Sequence, residues 1–270
     1  MNGLSAIVFI PDDMTKQGYA RPMMLQPVRG VPLLRWLAYS LYENGVERFF
    51  LVCREPFVAE ARSCFPEEAE VMTSADSNPA DQLHVFLSTA DEGEEEVTVI
   101  TAPVVYLPHL PRMGSLETAA CLIKREALMD ALDAEVSFSQ FVSENCTTLS
   151  ENEGFYTVDS PAALQHYAHY LQRNRNLQLE QQGVEIFDGD SCYVEPQVKV
   201  GTGAKLLAGT ILRGKTVIGS GTVVGPWTEI ADSEIGAQCL VQRSQVYQSH
   251  IASNIGIGPF SYIQENRCCK

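Results

Sequence analysis

The sequence predicts two folds in series, an α/β Rossmann-like domain followed by a left-handed parallel β-helix of hexapeptide repeats. Strand-like and helix-like segments alternate in the amino-terminal half, which predicts the first fold. Aliphatic residues recur at every sixth position from about Val194 to Ile263, which predicts the second. The 270 residues are enough for both, at roughly 150 residues per domain. We expect the α/β domain at 1–158, a linker helix at 159–183 and the β-helix at 184–270.

Short apolar runs rich in β-branched residues predict the buried strands of the α/β domain. These runs are Leu4–Ile10, Arg48–Cys53 and Val97–Ile100. Helices are predicted at Pro32–Asn44, at 79–90, at Ser115–Ala134 and from Asp159-Ser-Pro161 to about Gln182. Because strands and helices alternate, the sheet should be mostly parallel, with helical crossovers. The second half of the last helix is polar, which favours a linker between the domains.

The hexapeptide pattern predicts a coil with three flat faces, each placing one aliphatic side chain inside a narrow prism. The aliphatic residues are Val194, Val200, Leu206, Leu212, Ile218, Val224 and Ile230, then, with slips of one residue, Ile235, Val241, Val246, Ile251, Ile257 and Ile263. Glycines follow several of them, at Gly201, Gly219, Gly225, Gly236 and Gly258, where we expect corner conformations that other residues adopt at a cost. These residues are therefore interpreted as core, not as a site.

The overall charge excludes two classes of partner. Acidic residues outnumber basic ones by 34 to 19, giving a formal charge of −15. Nucleic acids and anionic membrane surfaces are poor partners for such a chain, because phosphate binding needs a basic surface. No stretch approaches the roughly 18 apolar residues of a membrane span, and the first residues do not resemble a signal peptide. We therefore expect a cytoplasmic protein.

The eight cysteines form no CxxC pair, so zinc-ribbon and thioredoxin-like functions are not supported. In a cytoplasmic protein they are expected to be reduced. Cys268 and Cys269 are expected to lie in a disordered tail, with a regulatory thiol role as the alternative.

An α/β half, a linker helix and hexapeptide repeats together resemble the bifunctional N-acetylglucosamine-1-phosphate uridyltransferase/glucosamine-1-phosphate acetyltransferase family. The resemblance lies in Gly183–Ile263, including the slips and the run Ile257-Gly-Pro-Phe260, and in Leu4–Cys53. It implies a nucleotidyltransferase domain, a nucleotide sugar or sugar phosphate as ligand, magnesium if the protein is active, and a homotrimer formed through the β-helix.

The family's phosphate loop is altered in this chain. In the family, the first strand leads into Leu-Ala-Ala-Gly-x-Gly-Thr-Arg-Met and then Pro-Lys, whose N–H groups and basic side chains bind the nucleotide phosphates. The matching stretch is Phe9–Gln17, with Asp12 and Met14 at the glycine positions and Asp13 between them. Met23 stands in place of the lysine. The resemblance leaves three candidate phosphate contacts: Thr15, Lys16 and Arg21.

The family's metal and base-reading motifs are also altered. The magnesium-binding aspartate of Gly-Asp-x-Pro aligns with Pro103, in Thr101-Ala-Pro-Val104. The second ligand, an asparagine, aligns with Asp159, a weak candidate whose alternative role is a helix N-cap. The uracil-reading Gln-Leu-Gly-Thr-Gly-His has no counterpart at Asp76–Asp81.

Two further pairs of residues are of types that can bind a metal ion. Asp12 and Asp13 follow the first strand, at the usual ligand edge of such sheets, with a solvated turn as the alternative. His166 and His169 have a helical spacing suited to a metal, although the neighbouring tyrosines favour a packing face. We predict no cofactor other than magnesium in an active enzyme.

Our first hypothesis for function is a catalytically degenerate relative of the uridyltransferase, retained as a binding, regulatory or assembly subunit. The alternative is an active sugar-1-phosphate nucleotidyltransferase with altered phosphate contacts. A third hypothesis is an acyltransferase that uses the β-helix alone. Magnesium-dependent UTP binding separates the first two hypotheses, and coenzyme A binding tests the third. We expect no acetyl transfer, because the family's acetyl-transfer residues lie on coils beyond the position of Phe260, and His250 lies on an earlier coil.

Overall fold

The computed structural model describes residues 4–11, 13, 20–75, 79–90, 94–108, 117–134, 141–142, 147–150 and 154–269. Contacts divide the chain into two compact units, Met1–Ala168 and His169–Lys270, and the division falls inside the helix Pro161–Gln181. Within the described residues, no helix is long and apolar enough to cross a membrane.

The first unit is built on a six-stranded mixed sheet. The strands of the whole unit are β1 (Leu4–Phe9), β2 (Pro27–Val28), β3 (Val31–Pro32), β4 (Val46–Val52), β5 (Glu70–Ser74), β6 (Glu96–Ile100), β7 (Val104–Tyr106), β8 (Glu117–Lys124), β9 (Thr147–Ser150) and β10 (Phe155–Thr157). The sheet has the order β5-β4-β1-β6-β8-β9, and β2-β3 and β7-β10 form separate antiparallel ribbons. Strands β5, β4, β1 and β6 are parallel, while β8 is antiparallel to both of its neighbours. The α/β prediction is therefore confirmed, with an antiparallel edge added to a parallel Rossmann-like core.

The helices pack around this sheet by their apolar faces. They are α1 (Leu33–Glu43), α2 (Val58–Arg62), α3 (Ala80–Ser88), α4 (Arg125–Asp133) and α5 (Pro161–Gln181), with short 3₁₀ helices at Met23–Leu25 and Glu55–Phe57. The predicted stripe of α1 is buried, and Pro32 lies at the N-cap. The helix predicted for Ser115–Ala134 is wrong in its first half, where Glu117–Lys124 forms β8. There the backbone pairs with both β6 and β9, and this pairing decides between strand and helix for a short apolar run.

The second unit is a β-helix made of short parallel strands. They are β11 (Glu185–Ile186), β12 (Tyr193–Val194), β13 (Lys199–Val200), β14 (Lys205–Leu206), β15 (Ile211–Arg213), β16 (Val217–Ile218), β17 (Val223–Val224), β18 (Glu229–Ala231), β19 (Glu234–Ile235), β20 (Leu240–Val241), β21 (Gln245–Tyr247), β22 (His250–Ile251), β23 (Gly256–Ile257), β24 (Tyr262–Gln264) and β25 (Arg267–Cys269). From β11 to β24, each strand pairs in parallel with the third strand after it, which gives three sheets around one core. The predicted aliphatic residues form that core, and most are almost fully buried. The repeat prediction is therefore confirmed.

The one-residue slips in the repeat shorten the later coils. Val194 pairs with Leu212, Ile218 with Ile235 and Ile230 with Val246, so the coil shortens from 18 to 17 to 16 residues. The shortened corners turn through single left-handed residues: Asp232 (φ 48°), Arg243 (φ 44°) and Gln248 (φ 47°). The core register is therefore kept by tightening the corners.

The predicted reason for several glycines was wrong. Gly219, for example, does not have a positive φ; a Cβ there would lie 2.5 Å from the backbone nitrogen of Ala237 on the next coil. The same holds for Gly236, whose added Cβ would lie 2.5 Å from the nitrogen of Ser253. At these positions, close approach of adjacent coils requires glycine.

The second half of α5 covers the edge of the first coil. Gln172, Arg175 and Asn176 are all at least nine-tenths buried. Their side chains donate hydrogen bonds to the carbonyls of Cys192, Val198 and Gly189. The polar pattern that favoured a linker is therefore a set of hydrogen-bond donors for the otherwise unpaired edge of the β-helix.

The chain reverses at the other end of the β-helix. Glu265 and Asn266 turn with positive φ, and β25 pairs antiparallel with β24, so that Ile263 lies opposite Cys268. The expectation that Cys268 and Cys269 lie in a disordered tail is therefore wrong. Pairing of their backbone with β24 orders this segment.

Candidate functional site

The candidate site lies at the carboxyl ends of β1 and β6, which are neighbours in the parallel part of the sheet. Strand β4, the next strand of this sheet in sequence, lies on one side of β1, and β6 lies on the other. The order in which successive strands are added to the sheet therefore reverses at β1, and open α/β sheets usually bind ligands at such a point. The segments that leave these two strands contain the aligned phosphate and metal positions.

Asp13 is tied to the backbone at this edge. Its carboxylate accepts a hydrogen bond from the N–H of Met23, with oxygen–nitrogen distances of 3.1 and 3.4 Å. Met23 begins a 3₁₀ helix, whose first N–H groups lack partners within the helix and suit an anion. The Asp13 carboxylate is therefore the partner of a backbone N–H that begins this helix, and the solvated-turn interpretation does not describe it.

The side chain of Met23 points into the core. Its exposure is 1%, and Met24 and Leu25 beside it are equally buried. A residue at this position therefore cannot place a side chain on a ligand at the sheet edge without leaving the core.

Arg21 is the one candidate phosphate contact within the described residues. Its guanidinium Nη1 lies 2.7 Å from Oε1 of Glu60 on α2. Both side chains are partly exposed, so the pair contributes little to stability, but it neutralises the local positive charge. The other candidates, Thr15 and Lys16, lie outside the described residues, as does Asp12.

The two aligned metal positions are neighbours in the fold. The carbonyl of Pro103 accepts a hydrogen bond of 2.8 Å from the N–H of Val158, and Asp159 is the next residue. The backbone thus brings together the positions that the resemblance pairs as ligands. Pro103 is buried and has no side-chain oxygen, so only Asp159 offers a carboxylate.

The N-cap of α5 is Ser160, the residue after Asp159. The hydroxyl of Ser160 accepts a hydrogen bond of 3.2 Å from the N–H of Ala163, which makes Ser160 the cap of α5. No group of three or more metal-binding side chains occurs among the residues that the structure describes. On α5, His166 and His169 each pack edge-on against the following tyrosine, with ring centroids 5.1 and 5.6 Å apart.

The cysteines near the sheet are structural. Cys53 follows β4 at the candidate edge, and burial raises the pKa of its thiol to about 11. Burial likewise raises the pKa of Cys64 to about 11, so both thiols are neutral and weakly nucleophilic at pH 7. Cys53, Cys64, Cys192 and Cys239 are free, whereas Cys121 is disulfide-bonded. The expectation of reduced thiols throughout is therefore wrong at Cys121.

Sequence reasoning missed the contact between Asp13 and Met23. The sequence showed an aspartate near a phosphate loop and a methionine in place of a lysine, but not that they meet. A signal was available, because Pro22 followed by three apolar residues indicates a short buried turn whose N–H groups need a partner.

Comparison with known proteins gives distant relatives. The chain is 37% identical over 122 residues to bifunctional protein GlmU of Caldanaerobacter subterraneus subsp. tengcongensis, which covers 45% of this chain and 27% of that protein. It is 34% identical over 107 residues to bifunctional protein GlmU of Bacillus velezensis, covering 40% and 24%. The chain thus spans about a quarter of the length of the curated relatives it matches. No family model matches the chain.

Among solved structures, the inositol-1-phosphate CTP transferase from T. maritima aligns with a TM-score of 0.45 and 12% identity, covering 65% of this chain and 97% of that one. The 4-diphosphocytidyl-2C-methyl-D-erythritol synthase from Anaerococcus prevotii aligns with a TM-score of 0.39 and 9% identity, covering 63% and 99%. Over 107 to 123 residues, the chain is therefore similar to part of the bifunctional GlmU proteins.

Proposed function

We propose that this protein is a catalytically degenerate relative of the sugar-phosphate nucleotidyltransferases, retained as a binding, regulatory or assembly subunit. The observation that carries the proposal is the hydrogen bond from the N–H of Met23 to the carboxylate of Asp13. A nucleotidyltransferase must bind a triphosphate at such donors and stabilise the charge that develops during transfer. Here an aspartate takes the donor and adds a negative charge.

The replaced lysine and metal aspartate support the same proposal. Met23 is buried where the resemblance implies a phosphate-binding lysine, and Pro103 is buried where it implies a magnesium ligand. Magnesium prefers several oxygen ligands, and Asp159 alone is a weak site. Losing one preorganised charge contact commonly costs a factor of about 10² or more in rate, so three altered elements should leave no useful turnover.

The rival proposal, an active enzyme with altered contacts, depends on the remaining basic side chains. Arg21 would have to leave Glu60, 2.7 Å away, in order to bind a phosphate. An exposed ion pair of this kind contributes only about 0–1 kcal/mol, so breaking the pair between Arg21 and Glu60 costs little free energy. The features that oppose the rival proposal are therefore the carboxylate of Asp13 and the missing metal ligand rather than the ion pair of Arg21.

The deciding experiment is pyrophosphate release by the purified full chain. The assay combines magnesium, each common nucleoside triphosphate and several sugar 1-phosphates, with an active bifunctional GlmU as positive control. We expect no turnover, and no magnesium-dependent UTP binding tighter than about millimolar. Turnover above about one per second, the low end of ordinary enzymes, would establish the rival.

The proposal includes self-association through the β-helix, as a homotrimer, and a cytoplasmic location, both of which the resemblance implies. It also includes the absence of acetyl transfer, measured with acetyl-coenzyme A and glucosamine 1-phosphate. The pairing of β25 with β24 supports this last part, because β25 takes the edge on which a further parallel coil would stack.

A further inference from the structure

The negative charge of the chain lies in its first unit. Residues 1–168 contain 25 acidic and 10 basic residues, whereas residues 169–270 contain nine of each. The imbalance is steepest between positions 55 and 96, where 12 acidic residues accompany a single basic one, Arg62. A surface of this composition attracts cations and repels a second copy of the same unit, over about 10 Å at moderate salt.

Strand β5 lies in this acidic segment and forms one edge of the six-stranded sheet. Its partner in the sheet is β4, with Val52 opposite Ser74. The N–H of Cys53 donates to the carbonyl of Ser74 at 3.1 Å, so the backbone groups of Ser74, and of every second residue before it, are directed at β4. The backbone groups of Val71 and Thr73 are therefore directed away from the sheet.

The outward backbone groups of β5 are open, with one exception. The carbonyl of Val71 accepts a hydrogen bond from the guanidinium of Arg62, the last residue of α2. Among the residues that the structure describes, the N–H of Val71 and both backbone groups of Thr73 have no hydrogen-bond partner. An open strand edge of this kind is a template for pairing with another extended chain.

Apolar surface lies beside this edge on both faces of the sheet. Val71 packs against the core cluster on one face and Met72 against the cluster on the other, and both side chains remain partly exposed. Phe57 and Val58, at the start of α2, extend the first surface and are also partly exposed. When a peptide adds to a sheet edge, its backbone supplies the hydrogen bonds and its alternate side chains pack on the two faces. The surroundings of β5 provide for both.

Charge decides which kind of strand fits this edge. Glu67, Glu68 and Glu70 are exposed at the amino end of β5, and Glu55 is exposed ahead of α2. Charged side chains beside a strand edge discourage pairing with a strand of the same charge. Here they are carboxylates, so they repel an acidic strand and attract a basic one.

We propose that the edge of β5 binds an extended, basic segment of a partner protein, which adds to the sheet beside β5. The backbone of the segment pairs with Val71 and Thr73, and its lysine or arginine side chains lie against Glu67, Glu68 and Glu70. The exposed bond from Arg62 to the Val71 carbonyl gives way to an N–H of the segment. The inference rests on the proposed role as a binding subunit and adds the chemistry of the partner.

The test uses a fluorescein-labelled peptide of alternating lysine and threonine, about ten residues long, the length of a long strand. Its binding to the full chain is followed by fluorescence anisotropy. We expect binding that weakens as the salt concentration is raised. A glutamate–threonine peptide, and a peptoid with the lysine and threonine side chains but no backbone N–H groups, should each bind at least about 10-fold more weakly.

Variants of the chain separate backbone pairing from charge. Thr73→Pro removes an outward N–H and keeps the pairing with β4, because proline is tolerated where an edge strand faces solvent. It should weaken peptide binding at least about 10-fold, whereas Thr73→Val keeps the N–H and should change it by less than about twofold. Glu67→Gln/Glu68→Gln should weaken binding about 3- to 10-fold. Glu234→Gln/Glu265→Gln removes the same charge from the β-helix and should leave binding unchanged.

Amide hydrogen exchange measured by NMR locates the contact. The peptide should slow exchange at Val71 and Thr73, with little change at Met72, whose N–H is directed at β4. Equal melting temperatures establish that the variants are folded. If Thr73→Pro melts early, the comparison of peptide with peptoid decides alone.

Two results would refute the proposal. Equal affinities for peptide and peptoid would reduce the contact to charge alone and exclude strand addition. A lysine–threonine peptide that does not bind would show that Arg62 and the carboxylates only protect the edge. Neither result bears on nucleotidyl transfer, which the pyrophosphate assay measures separately.

Discussion

Asn176 tests whether α5 is an integral cap of the β-helix. Its amide donates to the carbonyl of Gly189 at 2.8 Å and to that of Cys192 at 3.3 Å, and it accepts from Gln172 at 3.1 Å. The side chain is 4% exposed, and Asn176→Ala removes all three of these hydrogen bonds, leaving the Gly189 carbonyl without this donor and the Cys192 carbonyl with only the Gln172 amide. Each lost hydrogen bond costs roughly 1 kcal/mol, and an orphaned buried carbonyl costs more. We expect the free energy of unfolding of the β-helix to fall by about 3 kcal/mol.

Asn176→Asp is a sharper version of the same test. Aspartate has nearly the shape of asparagine but replaces the donating amide with a second acceptor, which faces two carbonyl oxygens. We therefore expect a larger loss at pH 7 than for Asn176→Ala. The control is Arg173→Ala on the exposed side of the same helix, where the change should stay within about 0.5 kcal/mol.

Urea titration followed by hydrogen exchange gives the readout, because a chain of two units need not unfold in one transition. Exchange of the backbone amides in 184–200 reports on the first coil. We expect faster exchange there in both Asn176 variants, with little change in the first unit. If Asn176→Ala and Arg173→Ala destabilise the β-helix equally, the capping argument is refuted.

Two further predictions concern the interior. Burial raises the pKa of Cys53 and Cys64 from 9.0 to about 11. The contribution of the two neutral thiols to the free energy of unfolding is therefore fully present below pH 9 and is lost as the pH rises through 11. Each thiol should contribute about 2–3 kcal/mol to that loss, and a Cys53→Ala/Cys64→Ala variant should show a flatter alkaline profile in urea titrations. Gly236→Ala should destabilise the β-helix by about 1–3 kcal/mol, because its Cβ would lie 2.5 Å from the nitrogen of Ser253. Gly256→Ala, where nothing lies within 4 Å, is the matched control and should leave the melting temperature unchanged.

The β-helix was predictable from sequence because few folds produce a period of six. Each step from Val194 to Ile230 places one aliphatic side chain inside the prism, and the structure keeps this register through the later slips. The slips themselves were visible in the sequence, but their mechanism was not. Left-handed turns at Asp232, Arg243 and Gln248 use residue types that do not predict a positive φ as strongly as glycine does.

The errors have a common physical origin in tertiary pairing. Glu117–Lys124 is a strand because β6 and β9 lie on either side of it, and no local pattern records those neighbours. The polar half of α5 indicated a linker helix, but its hydrogen bonds to the first coil were not predictable, because backbone carbonyls have no signature in a sequence. Asp13 was recognised as unusual, but its hydrogen bond to Met23 depends on how ten residues of intervening chain return to the sheet edge.

The two closures of the β-helix have a consequence for how it opens. In a stack of coils, each coil contacts only its neighbours, so exposed terminal coils are normally the first to fray. Here buried amide and guanidinium groups of α5 hold one terminus, and the antiparallel strand β25 holds part of the other. Opening from either end must first break one of these closures. Hydrogen exchange along the stack should therefore be nearly uniform from coil to coil, instead of rising steeply towards the ends.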